Sequence, residues 1–257
     1  MAEPRAITSR DNPLLVRLRR LVADPAAYRK LGQLWIEGDH LCDAFLRRGG
    51  TPAQAIVSEA GWEQPALRAL AGAARDVAIV PAALMQALST LESPAAIGFV
   101  LDWPGAGTIR AHDPTVVLDR LQDAGNVGTI LRTASAFGFT QCIALKGTAA
   151  LWSPKVLRAG MGAHFGLQLV EQASESDLEA LRAPLLGTSS HADHALHEVD
   201  LPWPCAWVLG HEGQGVSAAL AARCSQTLRI PQPGGEESLN VGAAAAVCLY
   251  ESNRQRQ

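Results

Sequence analysis

The chain has 257 residues, 48 % apolar and 18 % charged, with a net charge of −3; this is a folded globular composition, sized for one large or two ordinary domains. Its five cysteines (Cys42, Cys142, Cys205, Cys224, Cys248) are scattered, with no C-x-x-C pair, which argues against a disulfide framework or a cysteine zinc site and predicts a reducing cytoplasm. No apolar run reaches the roughly 18 residues of a membrane span, and Met-Ala-Glu-Pro-Arg at the start has no apolar signal core, so neither a membrane nor secretion is expected.

The first hundred residues alternate between two periods. A helix is predicted over 12–23, capped by Asp11 or Asn12 with Pro13 in its first turn. A strand at 34–36 and a helix at 40–48 follow, the helix ended by Gly49-Gly50. Then come strand 55–57, helix 65–72, strand 77–80, helix 82–88 and strand 97–101, the pattern of a small α/β sandwich. Residues 1–30 carry seven Arg or Lys against three acids, a local balance of +4. Arg10, Arg17, Arg19 and Arg20 are the candidate phosphate contacts of this arm. As a bare charge pattern it is equally an ordinary solvated helix face.

Residues 103–114, rich in Gly and Pro, read as a linker. The expected division is 1–105, a linker at 106–113, and 114–257. The second series predicts strand 115–118, helix 126–137, strand 141–145, helix 154–161, strand 166–169, helix 176–182 and strand 185–187. Strand 206–209, helix 217–223, strand 227–230 and helix 239–250 complete it. Short apolar strands between helices indicate a mostly parallel sheet covered on both faces.

Three segments of this second half carry glycines and polar groups where an apolar run meets a helix. They are Asn126-Val-Gly128-Thr-Ile-Leu-Arg132, Leu209-Gly210-His211-Glu212-Gly213-Gln214-Gly215, and Ile230-Pro231-Gln-Pro233-Gly234-Gly-Glu-Glu-Ser238-Leu239-Asn240-Val241. Two follow strands directly, where ligands of open α/β sheets sit. Glycines at 210, 213, 215, 234 and 235 let bare backbone approach a ligand. The order G-x-x-G-x-G, late in the chain and without an acid at the right offset, does not match a dinucleotide fingerprint, and no P-loop occurs. Ser238 is expected to cap the last helix. That helix, nearly all small and apolar through Ala243, Ala244, Ala245 and Ala246, is expected to be buried on several sides.

Together the three segments resemble the signature motifs of the SpoU/TrmH family of RNA ribose 2'-O-methyltransferases, over roughly residues 114–251. Ile7-Thr-Ser-Arg10-Asp-Asn12-Pro13 and Trp35-Ile-Glu37-Gly38 resemble the ribosomal-RNA branch, whose members carry an N-terminal substrate-binding domain. The resemblance implies an α/β fold with a C-terminal trefoil knot, preceded by a smaller α/β RNA-binding domain. It implies S-adenosylmethionine as cofactor, 23S ribosomal RNA as partner, and a homodimer with sites drawing on both subunits. By the same match Arg132 is the catalytic group, with Asn126, Glu212, Ser238 and Asn240 ordering the site. Cofactor contacts fall on Leu209, Gly210, Gly215, Ile230, Ser238 and Leu239. A guanidinium with a pKa above ~12 is a poor base, so Arg132 is read as stabilising a developing alkoxide or gripping a phosphate. Two positions depart from the family pattern: Ala124 stands where many relatives have proline, and His211 where asparagine is common.

His191, His194 and His197 recur at three-residue spacing but lack an acidic or cysteine shell, so no metal is expected. Trp35, Trp203 and Trp207 sit in apolar context and read as core or interface, and no G-x-S-x-G occurs. Alternatives are a transfer-RNA enzyme of the same chemistry and a non-catalytic RNA-binding assembly factor on the same fold. A nucleotide-binding oxidoreductase is disfavoured by the glycine order.

Overall fold

The computed structural model describes residues 4–234 and 238–257. The chain opens with β1 (Arg5–Ala6), α1 (Pro13–Ala23), α2 (Ala27–Leu31), β2 (Gln33–Glu37), α3 (Asp39–Arg47) and β3 (Gln54–Ser58). Next come α4 (Glu59–Trp62), α5 (Pro65–Ala71), β4 (Val77–Val80), α6 (Ala82–Gln86) and β5 (Ile97–Asp102). After these run β6 (Thr115–Asp119), α7 (Ala124–Ala136), β7 (Gln141–Leu145), α8 (Pro154–Gly160), β8 (Gln168–Ala173) and β9 (Leu185–Thr188). The last elements are β10 (His194–Ala195), β11 (Ala206–Gly210), α9 (Ala218–Ala221), β12 (Gln226–Arg229) and α10 (Val241–Gln255). They form two compact units, Met1–Gly105 with Trp152–Phe165, and Ala106–Leu151 with Gly166–Gln257.

In the first unit the strands lie in the order β1-β4-β3-β5-β2. β4 is parallel to β1 and β3, while β5 runs antiparallel to β3 and β2. α1 starts where the sequence predicts: Asn12 Oδ1 accepts from the amide of Leu14 (3.0 Å), and Pro13 opens the helix. Leu14, Leu15, Leu18 and Leu21 form its buried face. That leaves Arg10 and Arg20 exposed and Arg17 and Arg19 half-buried. Gly98 is glycine for a packing reason, since a Cβ there would stand 2.2 Å from the Trp35 ring. Trp35 in turn donates its indole N–H to the carbonyl of Leu88 (2.9 Å).

The second unit holds a seven-stranded sheet, β10-β12-β9-β11-β6-β7-β8, in which every described pairing is parallel. Every residue of β6, β7 and β11 is buried, as a sheet covered on both faces requires. β11 enters late in the chain yet lies between β9 and β6. It therefore brings its carboxyl end beside theirs: Gly210 pairs with Asp119, and Val208 with Gly187. α10 lies against α7 and β11, fixed by a hydrogen bond from the Trp207 indole N–H to Ser252 Oγ (2.8 Å).

Some expected elements move. The strand expected at 166–169 runs from Gln168 to Ala173, because Ala163–Gly166 form a 3-10 turn. The helix expected at 176–182 is a 3-10 turn over Ser176–Ala180. Ser238 does not cap the last helix. The cap is Asn240, whose Oδ1 accepts from the amides of Gly242 (2.9 Å) and Ala243 (3.2 Å), so α10 begins at Val241. α10 is buried on several sides, as expected, through Gly242, Ala245, Cys248, Leu249 and Ser252, and one side stays open. Ala243, Val247 and Tyr250 form an exposed stripe, with Val247 40 % and Tyr250 53 % exposed.

Candidate active site

The second glycine segment leaves the end of β11 and folds back on itself. The amide of Gly215 donates to the carbonyl of His211 (2.8 Å), and the amide of Gly213 donates to His211 Nδ1 (3.0 Å). Gly215 takes φ +68°, which glycine tolerates best. The returning strand lies so close over Gly210 that a Cβ there would be 2.1 Å from the Gly215 carbonyl carbon and the Val216 amide nitrogen. No side chain but hydrogen fits at 210.

Asp119, buried at the end of β6, holds the far side of this loop. Its carboxylate accepts from Arg120 Nε (2.8 Å), from Arg120 Nη2 (3.3 Å), and from the Ser217 amide (2.7 Å). Arg120 Nη1 in turn donates to Gln214 Oε1 at the loop tip (3.2 Å). One ion pair thus ties the tip and the end of the same loop.

The Glu212 carboxylate reaches across to the start of α7. It accepts from the amides of Gln122 (3.3 Å) and Asp123 (3.2 Å) and from Asn126 Nδ2 (3.3 Å). Burial pushes this carboxyl up, but bonds from its own amide, the Asn126 amide group and the Asp123 and Gln122 N–H groups outweigh that effect. The net result is a pKa below the usual range. Asn126 passes the connection on, because its Oδ1 accepts from Asn240 Nδ2 (3.0 Å). Asn240 then caps α10. Glu212, Asn126 and Asn240, one from each segment, therefore form a single hydrogen-bonded chain.

Beside this chain, at the carboxyl ends of β9, β11 and β12, lies a cleft of about 720 Å³, within the range of roughly 300–1,000 Å³ typical of small-molecule sites. Gly210, Glu212, Gly215, Ile230, Ser238, Leu239 and Asn240 all line it. Gly234 presents open backbone nearby, while Gly235 lies outside the described residues. Gln232 also lines the cleft, and among the described residues its buried Oε1 has no hydrogen-bond partner. Such an acceptor is costly to leave unpaired and suits a ligand donor. Open backbone, an apolar wall at Ile230 and Leu239 and an orphaned acceptor fit a nucleoside-bearing ligand.

Two sequence-predicted groups lie elsewhere. Leu209 is buried within β11. Arg132 is exposed on α7, two turns beyond Asn126, and among the described residues it is not part of the cleft wall. Arg19 Nη2 donates to the carbonyl of Arg10 (2.9 Å), gathering two of the four arm arginines of the first unit. Sequence reasoning missed residues 187–191, a polar lip of the cleft formed by Thr188, Ser189, Ser190 and His191. The available signal was their place just past a strand end, overshadowed by the histidine spacing. Among the described residues no group of His, Cys, Asp or Glu could hold a metal ion.

Comparison with known proteins agrees with this geometry. The SpoU rRNA Methylase family model matches residues 113–250. An uncharacterized tRNA/rRNA methyltransferase of Synechocystis is 33 % identical over 98 % of this chain and 94 % of its own length. The 23S rRNA (guanosine(2553)-2'-O)-methyltransferase RlmP of Bacillus subtilis is 29 % identical, over 86 % of this chain and 88 % of its own. Among solved structures, the SpoU methyltransferase AviRb from Streptomyces viridochromogenes in complex with AdoMet superimposes with a TM-score of 0.86. It is 25 % identical, and the match covers 95 % of this chain and 98 % of that one. With three linked motifs, a cleft at the sheet's carboxyl edge and a family match over more than half its length, the chain belongs to the SpoU rRNA methylase family.

Proposed function

We propose that this chain is an S-adenosylmethionine-dependent methyltransferase that places a methyl group on a ribose 2'-hydroxyl of ribosomal RNA. The observation that carries the reading is the Glu212–Asn126–Asn240 chain at the edge of a glycine-lined cleft. It joins three segments far apart in sequence, which a merely structural role for any one of them would not require.

When bound, S-adenosylmethionine supplies a methyl group on a positively charged sulfur. The chain's own residues hold and orient. Backbone at 210, 213, 215 and 234, with Gln232 and Leu239, would grip the cofactor. Glu212, Asn126 and Asn240 fix the loop to the helix starts. Arg132 would meet the ribose oxygen or its phosphate from outside the cleft, stabilising negative charge on that oxygen as the hydroxyl gives its proton to water. Its exposure on α7, the helix against which α10 packs, and the exposed stripe of Ala243, Val247 and Tyr250 on α10 suit a homodimer in which a second copy covers that stripe and the two subunits share residues. The chain end is read as the trefoil knot of the family, with β11 inserted between β9 and β6 in support. Residues 1–105, with the arginines of α1, are read as the part that grips RNA, and residues 114–257 as the methyltransferase part. A cytoplasmic location suits a ribosomal-RNA substrate.

Calorimetry tests the cofactor assignment. S-adenosylhomocysteine should bind stoichiometrically and NAD should not. Preferential binding of NAD would overturn the reading.

A further inference from the structure

The third glycine segment leaves the end of β12 as Ile230-Pro231-Gln232-Pro233. A proline fixes its own φ and pushes the residue before it into extended backbone. Ile230 and Gln232 each precede a proline, so the segment is stiff and extended, and residues two apart on an extended chain share a face. Burial follows that alternation. Ile230 and Gln232 are half-buried and line the cleft, whereas Pro231 and Pro233 are exposed and, among the described residues, are not part of its wall.

On this face one polar atom is withdrawn from water. Gln232 Oε1 is buried and, among the described residues, has no hydrogen-bond partner. An acceptor in that condition favours any ligand that brings it a donor. S-adenosylmethionine carries three kinds of donor: the 6-amino group of adenine, the ribose hydroxyls and the ammonium of its tail. The neighbours of Gln232 choose among them. Ile230 precedes it on the same face, and Leu239 is a second apolar residue of the same wall. An ammonium placed there would lack a counter-charge, and a sugar would bury hydroxyls against aliphatic carbon. A flat base suits both aliphatic side chains and needs one acceptor for its amine.

We propose that Gln232 is a specificity-determining residue for the base of the cofactor, its Oε1 accepting from the 6-amino group of adenine. The inference rests on the reading that the cleft binds S-adenosylmethionine. It gives a side chain, held by two prolines, a part in recognition that the glycine-lined backbone does not fill. A site built around such an acceptor rejects a base that lacks the donor, because the acceptor is then left buried and unpaired.

The test uses the full chain and calorimetry with two ligands. One is S-adenosylhomocysteine; the other is its analogue with unsubstituted purine, which keeps the ring system and lacks the amine. The wild type should bind the analogue about 5–100-fold more weakly, the range set by one buried acceptor left unpaired. Gln232→Met keeps the length of the side chain and removes the oxygen, so its preference for the amine should shrink to threefold or less. Gln232→Leu, different in shape and equally without an acceptor, should do the same if the methionine variant does not fold. Gln232→Glu supplies an oxygen again and should restore the preference. A purely structural role for Gln232 would weaken both ligands together and leave their ratio unchanged. Equal ratios in the wild type and Gln232→Met, or a wild-type ratio below threefold, would overturn the proposal and leave the cofactor reading standing. Failure of the wild type to bind either ligand would overturn the cofactor reading and the proposal with it.

Discussion

Replacing Glu212 by glutamine removes one charge and almost no volume, and it tests whether the link between motifs matters. The partners that reach the carboxylate from the start of α7 are all donors: the amides of Gln122 and Asp123, and Asn126 Nδ2. A glutamine keeps one acceptor oxygen but sets an NH₂ against the remaining N–H groups. Hydrogen bonds to a charged group contribute roughly 1.5–3 kcal/mol each when shielded. These are long and solvent-facing, so about 0.5–1 kcal/mol apiece is reasonable. Losing two of them gives about 1–2 kcal/mol, or roughly a 5–30-fold weaker affinity for S-adenosylhomocysteine by calorimetry. Glu212→Ala should be no worse than Glu212→Gln, since alanine admits water where the amide presents a wrong donor. A double-mutant cycle with Asn126→Ala should show coupling of about 0.5–1 kcal/mol. The carboxyl is held below its usual range in the folded chain, so its contribution is present above the ordinary carboxylate pKa. It is lost only as pH falls through the depressed value, and Glu212→Gln should lack that acid-side dependence. Affinity within twofold of wild type for Glu212→Gln, with no coupling to Asn126, would refute the reasoning.

Gly210→Ala forces a methyl into backbone 2.1 Å away, so the loop must retreat by roughly 1 Å or more to restore van der Waals separation. Calorimetry should show cofactor binding reduced at least about 30-fold, while thermal unfolding changes by only a few degrees because the strand itself is undisturbed. Arg132→Ala should lower turnover by a factor on the order of 100 or more and leave cofactor affinity near wild type; a loss below threefold in a methyl-transfer assay would remove its assigned role. Replacing Arg10, Arg17, Arg19 and Arg20 together should flatten the salt dependence of RNA affinity in filter binding. An unchanged slope would make the arm a solvated helix face.

Local chemistry was the legible part of this chain. Asn12-Pro13 marks the start of α1, and glycine-rich turns past apolar runs mark the ends of β11 and β12, because capping and positive φ act within a few residues. The short helices α2 and α4, five and four residues long, are absent from the sequence reading, since so few residues display too little of a 3.6-residue period to rely on; α6 and α9 are as short but lie inside longer expected helices. Asn240 was expected in the site but not as the cap of α10; serine and asparagine are near-equal caps, so only geometry separates Ser238 from Asn240. The Asp119–Arg120–Gln214 tie and the link from Glu212 to Asn126 span 86 residues or more. Such contacts depend on β11 entering the sheet beside β6, a pairing that no local pattern encodes. The exposed stripe on α10 has a similar origin: composition says that the helix is apolar, but only the packing shows which side is left uncovered.

Methyl transfer to a ribose oxygen can be measured directly. Ribosomal RNA from cells lacking the gene would be incubated with the purified chain and S-adenosylmethionine carrying a labelled methyl group. It would then be digested to nucleosides and analysed by mass spectrometry. Label is expected in a 2'-O-methylated nucleoside, dependent on the chain and abolished in Arg132→Ala. Label confined to a base, or no label in RNA while S-adenosylhomocysteine still binds the cleft, would contradict it.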